Sequence, residues 1–147
     1  MANPSFPRPE DAENAFYEAL EKGDVEAMMA IWADDEEVIC IHPDGQRLSG
    51  HAQIRNGWQT LFAAAPRLTV RISERVRWLG GMMAVHSLLE TFFAAGDPRP
   101  RGPVQVTNVF IRGADGWRLL SHHASMGAED SDSGVEARHD GPPRVLH

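Results

Sequence analysis

The chain predicts an α+β domain, helices first and an antiparallel sheet after them. Three observations carry this. Apolar residues recur at helical spacing early in the chain, at Ala12, Ala15, Phe16, Ala19 and Leu20, and again at Ile54, Trp58, Leu61, Phe62 and Ala65. From Arg67 the period changes to two, with Leu68, Val70, Ile72, Val76 and Trp78 on one face and Arg67, Arg71, Arg75 and Arg77 on the other. The stretch from Met82 to Ala95 is apolar on both faces, as in a central strand covered on both sides.

Each element has its own signals. Residues 1–9 form an arm with no apolar core of the secretory kind. Pro9 suits the first position of a helix, and Gly23 suits its end. Asp24 is placed to cap a second helix, whose buried face is Val25, Met28, Met29 and Trp32. Val38 to Ile41 reads as a short buried strand, Pro43-Asp44-Gly45 as a turn, and Gln46 to Ser49 as a strand pairing back. The third helix follows. Gly80-Gly81 turns the chain into the Met82–Ala95 strand. The Gly96–Pro103 stretch, with three prolines, cannot continue a ladder and reads as a hairpin loop. Val104 to Arg112 and Trp117 to Ser125 are the last two strands. The domain thus covers 10–126, and the acidic tail 127–147 is expected to be flexible, because it has few large apolar residues.

At 147 residues the chain is one domain with enough length for its own core. A net charge of −7 disfavours nucleic-acid phosphates and anionic membranes, so neither is expected as a partner. No apolar run approaches the length of a bilayer span. Cys40 is the only cysteine, so no internal disulfide forms and an oxidising compartment is not implied; a cytoplasmic protein is expected.

The stretch Gly23-Asp24-Val25-Glu26-Ala27, Trp32-Ala33-Asp34-Asp35, Val38 to Gly45 and Ser49-Gly50-His51, with the later blocks Thr107 to Phe110 and Gly116 to Ser125, resembles the NTF2-like superfamily and, within it, the SnoaL-like small pocket proteins. The resemblance implies a cone: three N-terminal helices packed on a curved, mainly antiparallel sheet. It also implies a homodimer through the outer sheet face, around Thr107, Val109 and Ile111. From the first helix to Gly50 the chain looks like the bacterial ketosteroid isomerases. That family's tyrosine, aspartate base and protonated aspartate fall on Phe16, Cys40 and Asn108. Phe16 cannot donate a hydrogen bond and a buried Cys40 stays a thiol, so the steroid isomerase mechanism is not expected. The chain is also similar to the calcium/calmodulin-dependent kinase II association domain. Its pocket arginines fall on Glu90, Asn108 and Ala124, and its pocket histidine on Ile54, so the basic lining for an anionic ligand is missing.

Alternation along the strands groups His86, Leu88 and Glu90, then Val106, Asn108 and Phe110, then Leu120, His122 and Ala124. Each apolar set holds polar groups whose burial needs partners, because an unpaired buried polar group is costly. His122, Glu90, Asn108 and His86 are therefore the candidate catalytic residues. His122 or His86 would serve as acid/base, Glu90 as its orienting partner and Asn108 as oxyanion donor. Phe16, Tyr17, Trp32, Cys40, Ile54, Trp58, Leu88, Phe110, Leu120 and Ala124 would line the pocket. Each has a plainer reading: Glu90 and Asn108 can satisfy each other, His122 can be a bonded core histidine, and Cys40 a small buried hydrophobe. No cofactor and no metal is implied, since His42, His86, His122 and Glu90 lie on separate strands without a tight ligand spacing. Two functions remain open: a pocket protein for a small, largely apolar neutral compound, or a SnoaL-like isomerase, cyclase, dehydratase or hydrolase working by proton transfer.

Overall fold

The computed structural model describes residues 4–64, 67–127 and 143–145. Three helices, α1 (Pro9–Lys22), α2 (Val25–Met29) and α3 (His51–Ala64), cover one face of a mixed sheet. The strands are β1 (Ile39–Ile41), β2 (Arg47–Ser49), β3 (Leu68–Leu79), β4 (Met83–Ala94), β5 (Arg101–Gly113), β6 (Gly116–Met126) and β7 (Arg144–Val145), in the spatial order β2-β1-β6-β5-β4-β3-β7. The long strands β3 to β6 form an antiparallel meander, whereas β1 on β6 and β7 on β3 run parallel.

Local chemistry sets the helix ends. The Asp11 carboxylate accepts from the Arg8 backbone N–H at 3.0 Å and from the Arg8 guanidinium at 2.9 Å, which ties down the first turn of α1. Gly23 takes φ 64°, and its N–H reaches the carbonyls of Ala19 and Leu20. Asp24 Oδ1 accepts from the Ala27 N–H at 3.0 Å and caps α2. Phe16, Met28, Ile54, Leu88, Phe110 and Leu119 are among the largest fully buried side chains, and they place the core between the helices and the sheet.

Two bulges change the sequence reading. β3 holds one extra residue between Ser73 and Val76, with Glu74 at φ 52°. A bulge shifts the phase of alternation by one. Arg75 and Arg77 therefore do not share the solvent face with Arg67 and Arg71. They turn to the helix side, where Arg77 Nη1 meets Glu10 Oε1 at 3.1 Å and Arg75 Nε stands 3.5 Å from Glu13 Oε1. Val76, expected inside, is exposed. In β6 the register slips at Leu120, since Val109 faces Ser121 while Phe110 faces Leu119. Leu119 takes the buried place, and Leu120 is only half-buried.

Both ends of the chain reach the sheet. Phe6 in the arm is buried, and its carbonyl accepts from the Trp117 N–H at 2.8 Å. The Arg118 guanidinium lies 4.8 Å from the Phe6 ring centre. In the tail, Arg144–Val145 pairs with Trp78–Leu79; the rest of the expected flexible segment, apart from Gly127 and residue 143, lies outside the described residues, as does Ala65. Gly116 makes the arm's approach possible. It sits at φ 97°, and an added Cβ would stand 2.3 Å from the Phe6 carbonyl oxygen. We expect Gly116→Ala to lower stability by about 1–3 kcal/mol through backbone strain alone, with further loss as Phe6 is displaced. Thermal unfolding checks this; an unchanged melting temperature would contradict it.

Candidate functional site

The site begins with a residue that the alternation along the strands does not point to. Glu13 on α1 is 1% exposed and inserts its carboxylate between the helix and the sheet. Burying a carboxylate is tolerated only with partners. Here Glu13 Oε2 accepts from His86 Nδ1 at 2.9 Å and from Asn108 Nδ2 at 3.0 Å, and Arg75 approaches the other oxygen from the β3 bulge. Asn108 Oδ1 in turn lies 2.7 Å from His122 Nδ1. The pairings follow from sheet register, because His86, Asn108 and His122 are cross-strand neighbours in β4, β5 and β6. The signal for Glu13 was present in the sequence: it lies three, four and seven residues before Phe16, Tyr17 and Leu20, on one helix face.

Beside this network lies a cavity of about 340 Å³, mostly apolar. Leu20, Trp58, Leu61, Phe92, Val104 and Ala124 form much of its wall, and Glu90, His122 and His42 bring polar groups to it. Asp44, Arg101 and Met126, all exposed, mark its rim. His42, at the turn after β1, stacks 4.8 Å from Trp58, and burial lowers its pKa.

The polar groups are tuned in opposite directions. Burial depresses His122 to about 3, with smaller contributions from His42 and His123, so it is a neutral imidazole near pH 7. Glu90 is 2% exposed and rises to about 7, mainly by burial and further by the nearby Glu13 charge. The Tyr17 hydroxyl faces this carboxyl and moderates the rise, yet neither Tyr17 Oη nor Glu90 Oε2 closes a hydrogen bond. Tyr17 stays a phenol, its pKa raised by burial and then by Glu90. Cys40 is pushed up to about 12 by burial and, less, by Glu90, so it is an inert thiol.

The candidate residues therefore divide. His122, Glu90, Trp58 and Ala124 line the cavity. Phe16 packs 4.7 Å from the His122 ring and 5.6 Å from Trp58, behind the wall. Tyr17 faces Glu90 but is not part of the lining. Trp32, Cys40, Ile54, Leu88 and Phe110 are buried in the core and do not line this cavity, and Leu120 is replaced inside by Leu119. His86 is not a cavity acid/base: its Nδ1 is held by Glu13, and its ring packs 5.0 Å from Phe110. Asn108 does not line the cavity, so it is not placed as an oxyanion donor there, and its two amide ends meet Glu13 and His122. Glu90 does not pair with a histidine; Glu13 does. Among the described residues no group of three His, Cys, Asp or Glu side chains is arranged to hold a metal ion, and no helix is long and apolar enough to cross a membrane. Phe92 continues the β4 face of His86, Leu88 and Glu90, whereas Leu20, Leu61 and Arg101 come from helices and a strand end that converge on the cavity only in three dimensions.

The Glu90 shift has a stability consequence. Its pKa is raised in the folded state, so folded and unfolded chains are both protonated below about pH 4.5, and stability falls as pH rises to about 7. At about 1.4 kcal/mol per unit the loss is about 3 kcal/mol. We expect Glu90→Gln to stabilise the fold at pH 8 and to do little at pH 4.5. Chemical denaturation at the two pH values checks this; an equal effect at both would contradict it.

Comparison with known proteins agrees with the fold. Residues 10–129 match the SnoaL-like domain. A solved structure from Thiobacillus denitrificans, provisionally assigned as a calcium/calmodulin-dependent protein kinase type II association domain, is 39% identical, covers 84% of this chain and 98% of that one, and superposes with a TM-score of 0.80. A provisionally assigned dehydratase of the NTF2-like family from Streptomyces avermitilis is 32% identical, with 79% and 91% covered and a TM-score of 0.71. The F-box protein SKIP8 of Arabidopsis thaliana is 26% identical over 112 residues, which are 76% of this chain. The chain spans less than half of that curated relative, 46% of its length. From its fold, and from a match over most of its length, the chain belongs to the SnoaL-like domain family, within the NTF2-like fold.

Proposed function

We propose that this protein is a cofactor-independent proton-transfer enzyme of the isomerase or dehydratase kind, acting on a small, largely apolar compound that bears hydroxyl and carbonyl groups. The observation that carries this reading is the Glu90 carboxyl, held in an apolar cavity with a pKa of about 7. A general acid/base works best when its pKa lies near the operating pH. The Glu90 carboxylate takes a proton from a substrate carbon next to a carbonyl. It then returns that proton to a second carbon, or to a departing hydroxyl that leaves as water. The proton count balances, and no cofactor is consumed. His122, on the same wall, orients the substrate by hydrogen bonding. The moderate similarity to a provisionally assigned dehydratase supports the class.

The same proposal includes a second copy of the chain on the outer sheet face, where Val85, Leu89, Phe93 and Val109 remain half-exposed, and a cytoplasmic setting. The plainer alternative, a ligand-binding pocket without chemistry, is favoured by one observation: His122, at about 3, is too weak a base to move a proton itself.

The test uses β-hydroxy cyclic ketones in deuterated water, with NMR reading deuterium entry at the carbon next to the carbonyl. The exchange rate is expected to rise about tenfold per pH unit up to about 7 and then level, because the carboxylate is the active form. Glu90→Gln should lower it by about 10²–10⁴-fold, and Cys40→Ser should leave it nearly intact. Exchange that survives Glu90→Gln would overturn the assignment of Glu90. Binding of the ketones without exchange would favour the pocket without chemistry.

A further inference from the structure

We propose that Glu13 dictates which ring nitrogen of His122 faces the cavity. The inner end of the cavity thereby prefers a ligand that donates a hydrogen bond, an alcohol, enol or phenol, over one that only accepts, such as a ketone. This deepens the proton-transfer reading and rests on it for the placement of the ligand beside His122 and Glu90.

One chain of contacts links Glu13 to His122. The two ends of an asparagine amide have nearly the same shape, so shape alone leaves Asn108 free to face either way. Glu13 removes that freedom. Its Oε2 already receives the His86 Nδ1–H at 2.9 Å, and a carboxylate can only accept. The end of Asn108 that lies 3.0 Å away must therefore be the N–H₂ group. Turned round, two acceptors would meet at that distance beside a side chain that is 1% exposed, too deep for bulk solvent to screen them. Once the N–H₂ end faces Glu13, Oδ1 faces His122 Nδ1 at 2.7 Å, and that nitrogen must carry the hydrogen. A neutral imidazole has one N–H. Nε2 is then a bare lone pair, and it is the only ring nitrogen left for the cavity that His122 lines.

Of the other polar groups on the wall, His42 packs on Trp58 with its Nε2 occluded. Glu90, once ionised, only accepts. The indole N–H of Trp58 is occluded. Arg101 stands exposed at the rim. A hydroxyl can donate to His122 Nε2, whereas a lone carbonyl oxygen would face acceptors. Glu13 touches no ligand in this arrangement; it is a positioning residue that acts through Asn108.

The test is long-range ¹⁵N–¹H correlation of the histidine rings in the full chain at pH 8, with His122 assigned by its loss in His122→Gln. The wild-type ring should show the proton on Nδ1 and an unprotonated Nε2. Phenol should shift the Nε2 signal, and cyclohexanone should not. Glu13→Gln should bring in the Nε2–H form and weaken phenol binding by about tenfold, roughly the worth of one hydrogen bond. The exchanged pair Glu13→Gln with Asn108→Asp should restore the Nδ1–H form. The new amide on α1 would then donate to the new carboxylate on β5, and that carboxylate would accept from His122. A proton on Nε2 in the wild type would overturn the proposal. So would an Nε2 signal that answers cyclohexanone as it answers phenol, or a Glu13→Gln ring unchanged in tautomer. The wild-type measurements stand alone if Glu13→Gln does not fold. An Nδ1–H ring in a protein that exchanges no protons supports this inference and sinks only the reaction.

Discussion

One buried carboxylate holds the site in place. Glu13 sits where α1 crosses the sheet, and its oxygens meet side chains from β3, β4 and β5. Such a group is tolerated inside a protein only with partners. The β3 bulge contributes to this: by shifting the phase of the strand, it turns Arg75 inward toward Glu13. Helix position, bulge and cross-strand register thus depend on one another. Loss of any one would leave a charge or an amide unpaired in the core.

The second buried glutamate is treated differently, and that difference is the basis of the proposed chemistry. Glu13 has two donors on Oε2, and its Oε1, which closes no hydrogen bond, has the Arg75 guanidinium 3.5 Å away. Glu90, on the cavity wall, has the Tyr17 hydroxyl nearby but no hydrogen bond on Oε2, so burial raises its pKa to about 7. Two carboxyl groups in one core thus have different surroundings, and the proposed reaction gives only Glu90 a proton to exchange. The neighbouring groups are quiet: His122 is neutral and Cys40 is an unreactive thiol.

Much of this fold was legible in the sequence, because periodicity reports burial directly. The helical spacing of Ala12, Phe16 and Ala19, the switch to alternation at Leu68 and the Gly23-Asp24 junction each mark a real boundary. Alternation also brought Glu90, Asn108 and His122 to the inner face. It failed at the bulges in β3 and β6, since one inserted residue reverses the side chains beyond it; this misplaced Arg75, Arg77, Val76, Trp78 and Leu120. The roles of the polar residues were not legible. Whether Asn108 faces a ligand or a carboxylate depends on Glu13, which is 95 residues away in the chain. On an exposed-looking run of acids, Glu10-Asp11-Ala12-Glu13, nothing in composition separates the one that is buried; only its shared helix face with Phe16, Tyr17 and Leu20 does.

The most direct measurement is a ¹³C NMR titration of the glutamate side-chain carboxyls in the intact protein, with the Glu90 signal assigned by its loss in a Glu90 variant. The Glu90 midpoint is expected at about 7. A midpoint in the ordinary carboxylate range, near 4.5, would show that water reaches Glu90 freely and would contradict the cavity as a site of proton transfer.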